Sequence, residues 1–291
     1  MLRFDVKIMN FLNADYKSKR RIGTAVMAVS VVLSMFLLSA CSNSRNDSGI
    51  IVAGSTSVQP YAEILAEEYM ILHPDVVIDI QGGGSSAGIM AAQSGTSDMG
   101  MSSRMLTDEE SGLWYVEIAR DGLALVVNPK NPVKDLTLDQ IRDIYTTKIS
   151  NWSALGGPNK KINVITREDG SGTRDAFVKL VMGESNITPR AIVQDSNGAV
   201  RQLVSDDPNA IGYISLGLVN DKVKALELGG IAATRENVIN GSYGLSRPFL
   251  FVAKSEPTGK AKEFLDYILS AEGQQILMNE GLIPPLEGSG K

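Results

Sequence analysis

One cysteine and one histidine in 291 residues leave several kinds of chemistry without their reagents. No disulfide can close within the chain, and no histidine and cysteine cluster is available for zinc. A GK[ST] phosphate loop is also missing. The run Gly84-Ser85-Ser86-Ala87-Gly88 fits the G-x-S-x-G pattern of a hydrolase elbow, but that serine needs a histidine base placed last in chain order. His73 comes before it. It precedes Pro74 at a helix end, where a C-terminal cation or a solvated ring is the ordinary reading. Gly82-x-Gly84-x-x-Ala87 imitates a dinucleotide fingerprint, yet Ser102, Ser103 and Arg104 stand where its acidic residue belongs. Asp108-Glu109-Glu110 reads as a solvated helix start. The residues therefore point away from an enzyme and call for no cofactor and no metal.

Apolar runs are scarce too, with one exception. Lys17, Lys19, Arg20 and Arg21 precede an uncharged stretch, residues 22–40, that ends in Leu38-Ser39-Ala40-Cys41. Its length would suit a membrane anchor. The small residues before the sole cysteine instead resemble a bacterial lipobox, in which Cys41 takes a lipid on sulfur and becomes the new N-terminus. Residues 1–40 are then a signal peptide and 41–49 a polar tether. An ordinary signal peptide or a retained helix are the alternatives, and residues 1–16 suggest no function. The leader carries six of the 28 basic residues and two of the 33 acidic ones, leaving 22 against 31 and a net charge of −9. Nucleic acid is excluded as a partner by that balance. An anionic ligand would have to be held by local donors against the global field.

Such donors are present at four places. Arg167-Glu168-Asp169-Gly170-Ser171-Gly172-Thr173-Arg174 follows an apolar strand, Ile162 to Ile165, and leads into Ala176, Phe177, Leu180 and Val181 at helical spacing. Amides at a helix start and an arginine fork together suit a small tetrahedral anion. A capped surface helix with a solvated arginine explains that stretch equally well. Gly54-Ser55-Thr56-Ser57 follows the strand Ile50 to Ala53 and precedes a helix with Ile64, Leu65, Tyr69 and Leu72 on one face, with Pro60 in its first turn. Gln81 to Gly88 lies between the strand Val76 to Ile80 and a helix through Met90 and Ala92, and Asp98 to Arg104 reads as a buried strand ending in hydroxyls. Four such elements favour a ligand, because in open α/β sheets loops beyond the carboxyl ends of strands converge.

Strands are expected near 50–53, 76–80, 97–101, 123–127, 162–165, 211–214 and 248–253, alternating with helices, the signature of an α/β protein with mainly parallel sheets. The apolar run 123–127 before Asn128-Pro129, and Ser242 to Arg247 before Pro248, look like passages between lobes. Lobe I would comprise 50–127 plus 245–287, and lobe II 128–244. The first three loops then line one wall of a cleft, with Arg167 to Thr173 on the other, and hinge motion closes it.

In order and spacing these loops resemble those of the phosphate-binding lipoproteins of ABC phosphate importers. The further runs Ile211-Gly212-Tyr213-Ile214-Ser215, Tyr243 to Pro248 and Ser270-Ala271-Glu272-Gly273-Gln274 extend the resemblance across the exported chain. It implies a type II periplasmic-binding-protein fold, two α/β lobes joined by two crossover strands with a ligand cleft between them. It further implies that Thr56, Ser57, Ser85, Ser103, Arg167, Ser171, Gly172 and Thr173 bind inorganic phosphate, with Ser55, Ser102 and Asp169 in support. Asp169 would hold the Arg167 guanidinium. The implied partners are ABC permease subunits and, through Cys41, the outer face of the cell membrane; the protein would be a monomer. Ser103 departs from members that carry an aspartate there, which accepts the proton of phosphate and repels unprotonated sulfate. A hydroxyl accepts or donates, so the expected preference for phosphate is narrower. Another tetrahedral oxyanion, sulfate or molybdate, and a sensory or adhesion lipoprotein are the competing readings.

Overall fold

The computed structural model describes residues 49–285. The leader, Cys41 and all but the last residue of the tether lie outside the described residues. Among those described, no helix is long and apolar enough to cross a membrane.

Strand β1 (Gly49–Gly54) is followed by helix α1 (Gln59–Leu72), strand β2 (Val77–Gly82), helix α2 (Ser85–Ser94) and strand β3 (Met99–Ser102). Parallel pairing places β2 and β3 on either side of β1. Tyr61, Leu65 and Tyr69 form the buried face of α1, while Leu72, expected on that face, is the last residue of the helix and stays exposed. Gly88 in α2 lies so close to the carbonyl of Ala53 and the Cα of Gly54 that no side chain would fit. Close packing of helix on strand thus accounts for the second glycine of the elbow-like pattern. Ser86 within that pattern accepts a hydrogen bond from Arg104 Nη2 at 3.2 Å. His73, for its part, stacks on Tyr69 with ring centroids 4.2 Å apart.

Strand β4 (Trp114–Val127, 14 residues) is nearly three times the expected length. Helix α3 (Leu138–Tyr145), strand β5 (Asn163–Arg167), helix α4 (Gly172–Phe177), strand β6 (Ile192–Gln194), helix α5 (Asn197–Asp206) and strand β7 (Ala210–Ser215) follow. Helix α4 runs on into a π-helical turn, Val178–Met182. The chain returns through strand β8 (Ser246–Ala253) and ends in helices α6 (Gly259–Leu269) and α7 (Ala271–Asn279). Among the described residues one nine-stranded sheet has the order β2-β1-β3-β8-β4-β7-β5-β6, with the short strand Lys224–Ala225 also on β4. The pairs of β8 with β3 and β4, and of β4 with β7, are antiparallel, so the sheet is mixed rather than mainly parallel. That follows from the two long strands running in opposite directions between two βαβ halves.

Two sets of cores fill the molecule. One joins residues 50–119 to 249–282, among them Val52, Leu65, Met101, Phe249 and Phe264. The others draw on residues 123–245. Leu123, Leu125 and Val127 pack with the second group, so β4 passes from one set of cores to the other at Asp121–Leu123. Its register explains the change: residues up to Gly122 pair with β8, and Leu123 to Val127 pair with β7. Leu245 packs with the second group of cores and Phe249 with the first.

Candidate functional site

The expected loops meet where the two cores adjoin. Arg167 ends β5 and is 1 % exposed. Its backbone is held from below by aromatic residues: Tyr145 Oη donates to Ile165 O at 3.1 Å, and Tyr213 Oη receives the Arg167 amide at 3.3 Å. Phe177 stacks on Tyr213 with centroids 4.1 Å apart, tying the following helix to the same support. Arg174 Nη1 adds a bond to Arg167 O at 2.9 Å.

Glu168, not Asp169, grips the guanidinium. Its carboxylate accepts from Nε at 2.8 Å and Nη2 at 2.9 Å, while Gln194 O shares the Nε hydrogen at 3.2 Å and Asp195 O accepts from Nη2 at 3.1 Å. The glutamate side chain is long enough to fold back along the fork. Asp169 lies out on the turn, 94 % exposed, and pairs with Arg174 at 2.9 Å. Arg167 Nη2 also donates to Thr56 Oγ1 at 3.2 Å, and Nη1 is buried with no partner among the described residues.

Beyond Arg167, Ser171 caps α4 by accepting from the Arg174 amide at 3.3 Å, which leaves its own proton available. Gly172 and Thr173 supply the first amides of the helix, which have no carbonyl four residues back within it. Ser57 Oγ lies 2.8 Å from Thr173 Oγ1, and the Ser86 amide donates to Gly170 O at 3.0 Å, so the walls touch. A Cβ on Gly172 would overlap Ser85 Oγ and fall 2.7 Å from Ser103 Oγ. Ser85, Ser103 and Ser55 form a trio there: Ser55 Oγ donates to Ser103 Oγ at 2.9 Å, Ser85 Oγ is 3.3 Å from Ser103 Oγ, and the Ser103 amide donates to Ser85 Oγ at 3.0 Å. Ser102 closes the turn beneath by bonding Arg104 O at 2.9 Å.

Four further residues belong to this place, none of them among the expected ligand contacts. Arg247 of β8 is 2 % exposed and donates from Nη2 to Ser57 Oγ at 3.0 Å. Asp121, its cross-strand neighbour on β4, accepts from Nε at 3.2 Å and Nη2 at 3.0 Å. Ser215 Oγ donates to the other oxygen of Asp121 at 2.9 Å. Burial pushes the Asp121 carboxyl upward, against Arg247 and Ser215. Burial likewise pushes Arg247 down; Asp121 opposes that, and the nearby charge of Arg167 adds to it. Arg247 Nη1, like that of Arg167, is buried without a partner among the described residues. Asn197, at the start of α5, donates from Nδ2 to Ser57 Oγ at 2.9 Å and Thr56 Oγ1 at 3.4 Å.

The arrangement offers donors from both cores to one small volume: two guanidiniums with their counter-charges behind them, six hydroxyls and a helix start. It suits an anion. Among the described residues no group of three or more His, Cys, Asp and Glu is placed for a metal ion. A cavity of about 520 Å³ lined by Arg104, Asp175, Lys179, Ser246, Arg247 and Pro248 lies beside these hydroxyls rather than among them, because the walls are in contact. Arg104 bridges the walls at its edge, with Nε 2.9 Å from Asp175 Oδ2 and both Nη atoms on Glu110.

Comparison with known proteins agrees with this geometry. Residues 39–272 match the family model of the PBP superfamily domain. The phosphate-binding protein PstS of Bacillus subtilis is 34 % identical over 281 residues, covering 89 % of this chain and 93 % of that one. A Clostridium perfringens crystal structure with bound phosphate, of a chain assigned as a phosphate ABC transporter substrate-binding protein, is 49 % identical. It superposes with a TM-score of 0.79 over 82 % of this chain and all of that one. An ABC-type phosphate transport receptor from Vibrio cholerae is 40 % identical, with a TM-score of 0.68 over 81 % of this chain and 100 % of that one. The chain belongs to the PBP superfamily and, within it, to the family of the PstS proteins.

Proposed function

We propose that this protein captures inorganic phosphate between its two lobes and hands it to an ABC importer, with no chemistry on the ligand. The observation that carries the reading is the pair of buried, unpartnered Nη1 atoms on Arg167 and Arg247, beside hydroxyls contributed by both cores. Buried guanidinium hydrogens are costly unless an acceptor takes them, and an oxyanion does so with charge-assisted bonds. Thr56, Ser57, Ser85, Ser103, Arg167, Ser171, Gly172 and Thr173 would hold the anion, with Ser55, Ser102 and Glu168 fixing their positions. Hinge motion at the two lobe passages, on β4 and before β8, would admit it.

Delivery implies permease subunits as partners and a monomer that presents both lobes to them. Lipid on Cys41 would tether the protein to the outer face of the membrane, and no cofactor enters this account. Ser103 keeps a second oxyanion in view. It offers a hydroxyl where an aspartate would repel sulfate, so the margin for phosphate is smaller. Calorimetric titration of ligand-stripped protein tests both points. Phosphate should bind at micromolar concentration or tighter and sulfate more weakly; equal affinities would defeat the phosphate assignment.

A further inference from the structure

The hydrogen-bond directions around Ser57 and Thr56 carry an inference that rests on the phosphate reading above. A serine hydroxyl has one proton and two lone pairs. Ser57 Oγ receives Arg247 Nη2 at 3.0 Å and Asn197 Nδ2 at 2.9 Å, and neither a guanidinium nor an amide nitrogen can accept in return. Both lone pairs are filled. The amide of Asn197 cannot be turned the other way without loss, because its oxygen accepts the buried Ser215 amide at 3.1 Å. The second amide hydrogen lies toward Thr56 Oγ1, 3.4 Å away, which also receives Arg167 Nη2 at 3.2 Å.

We infer that Asn197 and Arg247 are positioning residues of the anion site: by occupying the acceptor capacity of Ser57 they oblige its hydroxyl to donate, to Thr173 Oγ1 at 2.8 Å in this structure and toward the ligand once an anion enters between the two hydroxyls. Thr56 is held in the same sense by Asn197 and Arg167, through longer bonds. This corner then receives only an unprotonated ligand oxygen. A proton on the ligand must point elsewhere, and Ser85 and Ser103 are suited to it, because either of that pair can serve as donor to the other. Asn197 begins α5, whose Val200 and Val204 belong to the second group of cores, and Ser57 lies in the loop after β1, so this control is complete only with the walls together.

A double-mutant cycle on the full chain, read by calorimetric phosphate titration, tests the inference. Ser57→Ala is expected to weaken binding about tenfold and Asn197→Ala several-fold, as loss of one and part of one hydrogen bond. In the double variant the losses should not multiply, because the second change acts through the hydroxyl the first removes. Losses that multiply to within about twofold, or an Asn197→Ala variant that binds like wild type, would overturn the inference. Arg247→Lys, which keeps the charge opposite Asp121 but removes the fork, replaces Asn197→Ala in the cycle should that variant not fold. Failure of the phosphate reading shows separately, as a wild-type protein that does not bind phosphate.

Discussion

Arg167 and Arg247 are both buried and both paired, yet their counter-charges live in different surroundings. Glu168 is the next residue in the chain and is 28 % exposed, whereas Asp121 lies 126 residues away on the neighbouring strand and is 1 % exposed. Water can substitute for the first carboxylate. It cannot reach the second. On the proposed function, the pair at the end of β5 is an adjustable grip on a cation that would face the ligand, and the pair between β4 and β8 is a fixed part of the frame between the two sets of cores. A binding site at a hinge needs both: a charge that answers the ligand, and one that holds the frame.

The sharpest way to break that contrast is to remove each carboxylate. Asp121→Ala leaves Arg247 buried and unpaired, and urea unfolding should show a loss of roughly 3–5 kcal/mol. Glu168→Ala should cost less than about 1 kcal/mol in the same measurement, since solvent takes its place. Similar losses would erase the distinction. Next in size, Arg167→Ala should weaken phosphate binding by about 1.5–3 kcal/mol for each charged bond removed, while stability changes little. Gly172→Ala probes the meeting of the walls. Its methyl would press on Ser85 and Ser103, and strain of about 1–3 kcal/mol should appear as weaker phosphate affinity in titration with unaltered stability of the separate cores.

The smallest effect concerns pH. Hydrogen bonds from Arg104 hold the Glu110 carboxyl below the usual glutamate range. The unfolded chain therefore takes up this proton first as pH falls. Glu110 contributes its full share above about pH 4.3, and that share is lost as pH falls through its lowered folded value. Urea melts between about pH 5 and pH 3 should show a shallower acid limb for Glu110→Gln than for wild type.

Much of the architecture could be read from the chain, for physical reasons. Ile211 to Ile214 is buried on both faces and Ile50 to Ala53 alternates between buried and half-buried, so both appear as apolar runs. The first half of β4 escaped because Glu117, Arg120 and Asp121 interrupt its pattern; two of those charges are buried, and Asp121 owes its burial to Arg247 across the sheet. The hydroxyls after β1, β2 and β5 are visible because each group lies between a strand and a helix beside glycine, and Ser102 and Ser103 because they end a buried apolar strand. The roles of Asn197 and Arg247 are not legible in the sequence, since they depend on the register of β4 against β8 and on where α5 begins. Asp169 and Glu168 differ by one position and one methylene, and only the path of the turn decides which reaches the guanidinium.

A crystal structure of the protein with phosphate tests the central claim most directly. Its oxygens should contact Arg167 Nη1, the amides at the start of α4 and the hydroxyls of Thr56, Ser57 and Ser85, joining both lobes through one ion. Phosphate bound outside this junction, or held by residues of one lobe alone, would contradict it.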